Sequence, residues 1–593
     1  SEPIPITFPN DLGAPPGTQV ELWYYDEAPD GSRPNQMAQY GTGTVSVNGS
    51  QIVPDIDPTT GKQFGQPRFC CGQVMPAWLR DLLDFIFKLL KGLATSLGRV
   101  FGADPVDLAT GQFVLEKTDL VLPGRLPVTV MRTYHSGGTA EGPFGRGTSH
   151  SYDVSLLNQG DQRTLFLPAG QRVVLRKQVD GTFRNLTDPT YRGVVLTEVG
   201  GGHQLRFKDG ATWTFGAPSL NVSFLIAQAD RNGNQLTFSR TGTTGTLTTI
   251  TDSVGRQVQF TYTNNRVTEI LDPLGRRVTY AYDNNSRLAT VLDPDGGVTR
   301  YTYDAQGRMH TLTDARGITY LTNEYDSAGR VSKQTQADGG TWLFAYTTSS
   351  GVITQTTVTD PRGKHTTTRF NGQGYGLAQT DGQGQATQSR RDSATNQVLS
   401  TTDSLGRATA FEYDSVGNVT KITDPNNQST RFEYETNFNR VKKITDALNQ
   451  ITEFTYDPAN GNLLTTKDPL NHLTTITYNA FGQPTTVQGP IPAEPPTTFV
   501  YDANGNLITT TDPLGNQTQR AYDAVSRLVN LTDPGARVSS GRPRSSTATE
   551  AGKDTFDQPA GWLPTVSSKS GFTSRFWARA PGASSENVRP APA

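Results

Sequence analysis

Between about 230 and 533 the chain is a succession of short runs in which apolar and polar residues alternate, each closed by a turn signal. Arg276 to Tyr282 is typical. Val278, Tyr280 and Tyr282 fall on one face and Thr279 and Ala281 on the other, because successive side chains of a strand point to opposite faces. Asp272-Pro273-Leu274-Gly275 precedes the run, with Asp, Pro and Gly at the first, second and fourth corners of a type I turn. Asp283 to Arg287 supplies a second turn and Leu288 to Leu292 a return strand. The pattern predicts a unit of two short antiparallel strands and two tight turns.

The unit recurs. Tyr262, Tyr282, Tyr303, Tyr325 and Tyr346 stand 20–22 residues apart, and Tyr413, Tyr434, Tyr456, Tyr478, Tyr501 and Tyr522 stand 21–23 apart. Phe370 and Arg391 keep the beat between the two runs. An acidic turn residue holds the same period at Asp252, Asp272, Asp293, Asp314, Asp360, Asp381, Asp403, Asp424, Asp446, Asp468, Asp512 and Asp533. A lone hairpin is marginal in water. Stacked neighbours would supply its missing backbone partners and bury the Tyr, Val and Leu rows. The expectation is one continuous ribbon rather than a string of domains.

Four other segments read differently. Residues 1–72 carry strand-like runs such as Gln19 to Tyr25 and turn signals at Asp30-Gly31 and Asn48-Gly49, which suggests a small β domain. Within 73–102, Leu79, Leu82, Leu83, Ile86, Leu90, Leu93 and Leu97 recur at three- and four-residue steps, as on an amphipathic helix. Residues 103–200 return to strands, ahead of a ribbon assigned to 201–533. Residues 534–593 are rich in Ser, Pro, Ala, Gly and Arg and are expected to be disordered.

Charge narrows the function. Lys and Arg number 53 against 55 Asp and Glu, a net charge of −2, so no positive field exists to hold nucleic acid by counterion release. The apolar fraction of 34% is lean and fits thin, half-buried strands better than a thick helical core. No uncharged apolar run reaches the ~18 residues of a membrane span.

Candidate chemistry is sparse. Cys70 and Cys71 are adjacent and cannot staple distant segments; two buried or reduced thiols, a pair across two molecules and a metal contact are the readings. His135, His150, His203, His310, His365 and His472 are scattered, so no local zinc motif exists and no cofactor or metal is expected. Asp230-Arg231-Asn232-Gly233-Asn234 and Asp502-Ala503-Asn504-Gly505-Asn506 look like the start of a calcium loop. Neither continues to the twelfth-position Glu, so turn chemistry is the better account. Ser149-His150 is a chain neighbour pair, not a triad, and Gly-x-Ser-x-Gly is absent. The aspartate of each Tyr-Asp pair is expected to accept turn N–H groups. No catalytic residue is assigned, and the protein is expected not to be an enzyme.

These residues resemble the YD repeats of the Rhs family. Tyr303-Asp304-x-x-Gly307-Arg308 followed by Asp314-x-x-Gly317 carries the family's pattern, as does Tyr282-Asp283 after Asp272-Pro273-x-Gly275. Asp104-Pro105-Val106 with Thr110-Gly111, and Arg132-Thr133-Tyr134, resemble the segment that precedes the repeats in bacterial Rhs and wall-associated proteins, although Thr148 stands where that segment often has Trp. The resemblance covers about 100–533. It implies a mainly β fold in which hairpins stack into a spiral ribbon or partial hollow shell, as in toxin-complex cocoon subunits and teneurin barrels. Several such shells enclose a toxin released by self-cleavage. Nothing after Asp533-Pro534 resembles the closing segment, its aspartyl protease residues or a folded toxin, so a C-terminally truncated shell is expected.

Three functions follow as expectations. The first is a non-enzymatic shell or scaffold, secreted or at the cell surface, that encloses a polypeptide or pairs with its own copies through an open strand edge. The second is adhesion or carbohydrate binding, with Trp213 and Trp342 as stacking candidates. The third is a fragment of a polymorphic toxin.

Overall fold

The computed structural model describes residues 100–532 apart from Asp104, together with the backbone of a few short flanking strands. The chain divides into two compact units, one built around Ser1–Gln73 and one around Val74–Ala548. In the first, strands Phe8–Pro9, Gln19–Asp26, Gln36–Val45 and Gln51–Pro54 join one sheet with Ala578–Arg579. The amphipathic helix expected within 73–102 lies outside the described residues, except that Phe101–Gly102 is strand. Most of the tail expected to be disordered also lies outside them. Val538–Ser540 within it is strand and pairs with Asn530 to Thr532.

The second unit is dominated by a single antiparallel sheet of 37 strands in strict sequence order. Each repeat contributes two strands, as in Arg277–Tyr282 and Leu288–Leu292. Val278 and Tyr280 are buried while Arg277 and Ala281 are exposed, so one face is apolar and the other wet. On the wet face Glu412 pairs with Lys421 and Glu433 with Lys443 across neighbouring strands. On the apolar face Phe411, Ile422, Phe432, Ile444 and Phe454 form a continuous row. Opposite residues on adjacent strands lie close enough for both kinds of pair to form.

The sheet begins by closing on itself. Ser155–Gln159 pairs with Gln162–Phe166 on one side and with Val222–Ala229 on the other, so the first eight strands form a ring. This end of the sheet therefore has its first strand paired on both sides. From Val222–Ala229 the ribbon leaves the ring and later comes back to it. Lys208 meets Asn418, Arg206 meets Asn437, Arg231 meets Asn462 and Asn234 meets Phe481, partners 210–247 residues apart in the chain. A second pass of the ribbon therefore lies edge-on to its own beginning. Twist between neighbouring strands, accumulated over many units, is what bends a ribbon into such a coil.

The segment 105–150 packs against the apolar face and turn edge of the first pass. Its strands Gln112–Leu122 and Val128–His135 share one core with Phe260, Tyr280, Leu312 and Phe344.

Candidate functional site

The repeat turn is the recurrent site. In Asp304-Ala305-Gln306-Gly307-Arg308, Asp304 Oδ1 accepts the N–H groups of Gln306 (3.0 Å) and Arg308 (2.8 Å). Gly307 sits at φ +80°, a left-handed conformation that favours glycine. Sister turns place Ser286, Asn427, Asn449 and Asn471 in the same conformation. Arg308 pairs with Asp304 Oδ2 at 2.7 Å and lays its guanidinium over the ring of Tyr325, 4.3 Å from the centroid. Arg287 covers Tyr303 and Arg330 covers Tyr346 in the same way, both at 4.7 Å. The arginine of one unit thus holds its own turn and the tyrosine of the next.

The tyrosine closes the link. In most units its hydroxyl donates to a backbone carbonyl on the preceding unit: Tyr303 to Leu288 O (2.9 Å), Tyr346 to Val331 O (2.6 Å), Tyr434 to Val419 O (2.7 Å) and Tyr456 to Val441 O (2.7 Å). The strand register shifts at Tyr303, Tyr434 and Tyr456, a bulge that re-aims the side chain, whereas at Tyr346 the shift falls one residue later, between Thr347 and Thr348. Arg391, out of type but in phase, donates through Nε to Gly376 O at 2.9 Å and makes the same rung. Phe370 keeps the beat by burial alone. The tyrosines, expected to be buried, are partly buried against the core. The rung itself was missed, although its signal was present: an apolar residue stands 15 positions before most of these tyrosines.

The motif Arg132-Thr133-Tyr134 lies at the joint between segment 105–150 and the ribbon. Arg132 grips Asp119 through Nε (3.0 Å) and Nη2 (3.1 Å), with both side chains buried. Tyr280 donates to Asp119 Oδ2 at 2.8 Å, and Arg132 Nη2 reaches Tyr301. Tyr134 accepts the N–H of Met309 at 2.9 Å. Thr148 donates to Gly145 O (2.6 Å) and accepts from Phe144 N (3.0 Å), closing a small hairpin.

The remaining candidates fall into structural places. His150 is buried; its Nδ1 accepts the N–H of Tyr152 and its Nε2 lies 3.1 Å from Asp153, and burial lowers its pKa. Ser149 Oγ instead accepts the N–H of Ala169. Asp230 Oδ1 takes the N–H groups of Asn232 and Asn234, and Asp502 Oδ1 that of Asn506, so both calcium-like stretches are turns. Trp213 packs edge-on to Phe207 at 5.0 Å, and both Trp213 and Trp342 lean partly buried on the core. Among the described residues no cluster of three or more His, Cys, Asp and Glu side chains is placed to hold a metal. Hydrogen bonds from Arg407 and backbone N–H groups hold the Asp403 carboxyl below its ordinary range. A carboxylate so engaged is a fastener rather than a proton donor.

A coiled β wall whose repeated side chains fasten each unit to the last is a repeat-built structural protein. The comparisons agree with the motifs. The RHS repeat family model matches 262–297 and 501–538, and the Teneurin YD-shell model matches 297–467. A Domain of unknown function (DUF6531) matches 103–175. The chain is an Rhs/YD-repeat protein. It is 28% identical over 163 residues to the probable deoxyribonucleases RhsB and RhsA of Dickeya dadantii, a match covering 26% of this chain and 11% of the length of those relatives. Among solved structures it is similar to TcdB2-TccC3 without its hypervariable C-terminal region (13% identity, 70% of this chain and 26% of that one, TM-score 0.31). It is also similar to the Photorhabdus luminescens Tc holotoxin pore (13% identity, 72% and 26%, TM-score 0.30).

Proposed function

We propose that this chain works by shape, as a wall segment of a secreted or surface-displayed toxin-related shell, with no chemistry of its own. The second pass of the ribbon lying on its own beginning carries the reading, because a coil of that kind surrounds space. The repeated carboxylates support it, since their oxygens are engaged by turn N–H groups and by arginine. The Dickeya relatives are named as probable deoxyribonucleases, but the match spans only 11% of their length. Export follows from family likeness, and among the described residues no helix is long and apolar enough to cross a membrane.

Negative-stain imaging of the purified full chain tests the proposal. The expected particle is a ring or cup with a stain-filled centre. A solid globule would remove the enclosing role. DNA cleavage by the chain in magnesium buffer would remove the non-enzymatic one.

A further inference from the structure

The ribbon has two turn edges, and the structure uses them differently. The Tyr-Asp turns of the second pass, from Asp414 to Arg527, rest on the beginning of the sheet or on segment 105–150. Arg192 reaches Ser415 O, Asn439 reaches Lys208 O, Arg125 reaches Ala503 O and Arg256 reaches Ser526. The opposite edge of this pass, made of the turns that open at Asp403, Asp424, Asp446, Asp468 and Asp512, has no such cover among the described residues. Its third-corner residues Leu405, Leu448, Leu470 and Leu514 are 75%, 75%, 74% and 87% exposed. Earlier in the ribbon the same corner is Leu274, 45% exposed, and then polar at Asp295, Arg316, Arg362 and Gln383. In covered turns it holds Asn232, bonded by Asn462, and the half-buried Val254. Four of the five leucines at this corner therefore stand on a stretch of rim that no described residue covers.

We propose that this rim binds a second copy of the chain, rim to rim about a two-fold axis. The order of corners along it decides the geometry. Each unit of two strands advances the rim by roughly 10 Å. The corners read Leu405, Asn426, Leu448, Leu470, the loop around Ile491, and Leu514. That order is symmetric about the point between Leu448 and Leu470. An antiparallel partner would set Leu448 against Leu470 and Leu405 against Leu514 in both directions, as an isologous interface requires. Asn426 would meet the loop carrying Ile491, itself 51% exposed. A head-to-tail filament is not available to this rim, because the Tyr-Asp turns that cover the corresponding edge at the start of the sheet are already occupied in each copy. The leucines of two copies remove on the order of 1,000 Å² from water, the threshold of a specific interface. The rims also bring Asp403, Asp424, Asp446, Asp468 and Asp512 towards their counterparts, so added salt should strengthen the pairing by screening that repulsion. The pairing stands on the rim itself and holds whether or not the wall encloses cargo.

Sedimentation equilibrium of the full chain tests it. The expected result is a monomer–dimer equilibrium that shifts towards dimer with salt and is lost in Leu448→Glu/Leu470→Glu. The thermal melt of that variant, measured at a concentration where the parent is monomeric, should be unchanged, since both leucines are exposed. A second measurement fixes the register. Leu448→Cys and Leu470→Cys are made separately in a Cys70→Ser/Cys71→Ser background and treated with a short bis-maleimide. The mixture should cross-link more than either variant alone. A chain monomeric at all concentrations and salts overturns the proposal, as does a dimer that survives the double glutamate variant. Equal cross-linking of the single variants overturns the two-fold register.

Discussion

Tyr280 donates a 2.8 Å hydrogen bond to Asp119, a carboxylate 161 residues earlier in the chain that is already gripped at two points by buried Arg132. One carboxylate thus holds a pre-repeat strand and a repeat strand together. Removing its charge leaves a buried guanidinium unpaired. Asp119→Asn should cost about 3–5 kcal/mol, read as a fall in the denaturant midpoint. Tyr280→Phe, which leaves the ion pair intact, should cost less, about 1–3 kcal/mol. The joint is not holding the two segments if both variants unfold with the parent's midpoint.

The tyrosine rungs should behave as equal, modest fasteners. Tyr434→Phe strips the donor from Val419 O and should cost about 1 kcal/mol in urea unfolding. The comparison at Arg391 is sharper. Arg391→Tyr restores the rung that sister units use, whereas Arg391→Met loses the bond to Gly376 O and should be the less stable of the two. Equal stabilities would mean that the rung contributes nothing.

Gly406 sits at φ +78° in the turn after Asp403, where sister turns hold Asn427, Asn449 and Asn471 at φ 61°, 61° and 66°. A β-branched residue there meets the left-handed penalty of about 1–2 kcal/mol. Gly406→Val should therefore lower the melting temperature and Gly406→Asn should change it little. Matching losses in the two variants would place the cost in side-chain size instead of backbone conformation.

Alkali should loosen the ribbon. Burial lifts the phenols of Tyr413, Tyr478 and Tyr501 to about 12. The unfolded value is about 10, so the native state holds these protons more tightly. Their contribution is complete below pH ~10 and declines as the pH rises towards ~12. Unfolding followed at increasing pH should show a falling midpoint over that window, with native phenolate absorbance appearing late. Phenols that ionise at their ordinary value in the folded protein would contradict it.

The repeating unit is written in the local sequence: two strands, an apolar and a wet face, and an aspartate-led turn that favours a residue tolerant of positive φ. All of these act within a few residues, through alternation and turn chemistry, so each unit carries them in full. Tyr303-Asp304 and Gly307-Arg308 are legible on that scale, and so is the structural place of the calcium-like stretches. What each unit is tied to emerges only in the folded chain. The carbonyl that Tyr303 reaches lies on the neighbouring unit. Ser155–Gln159 finds Val222–Ala229 to close the ring, Lys208 finds Asn418 across 210 residues, and Asp119 finds Tyr280. Such meetings depend on the small twist between strands, summed over many units, and no single unit encodes that sum.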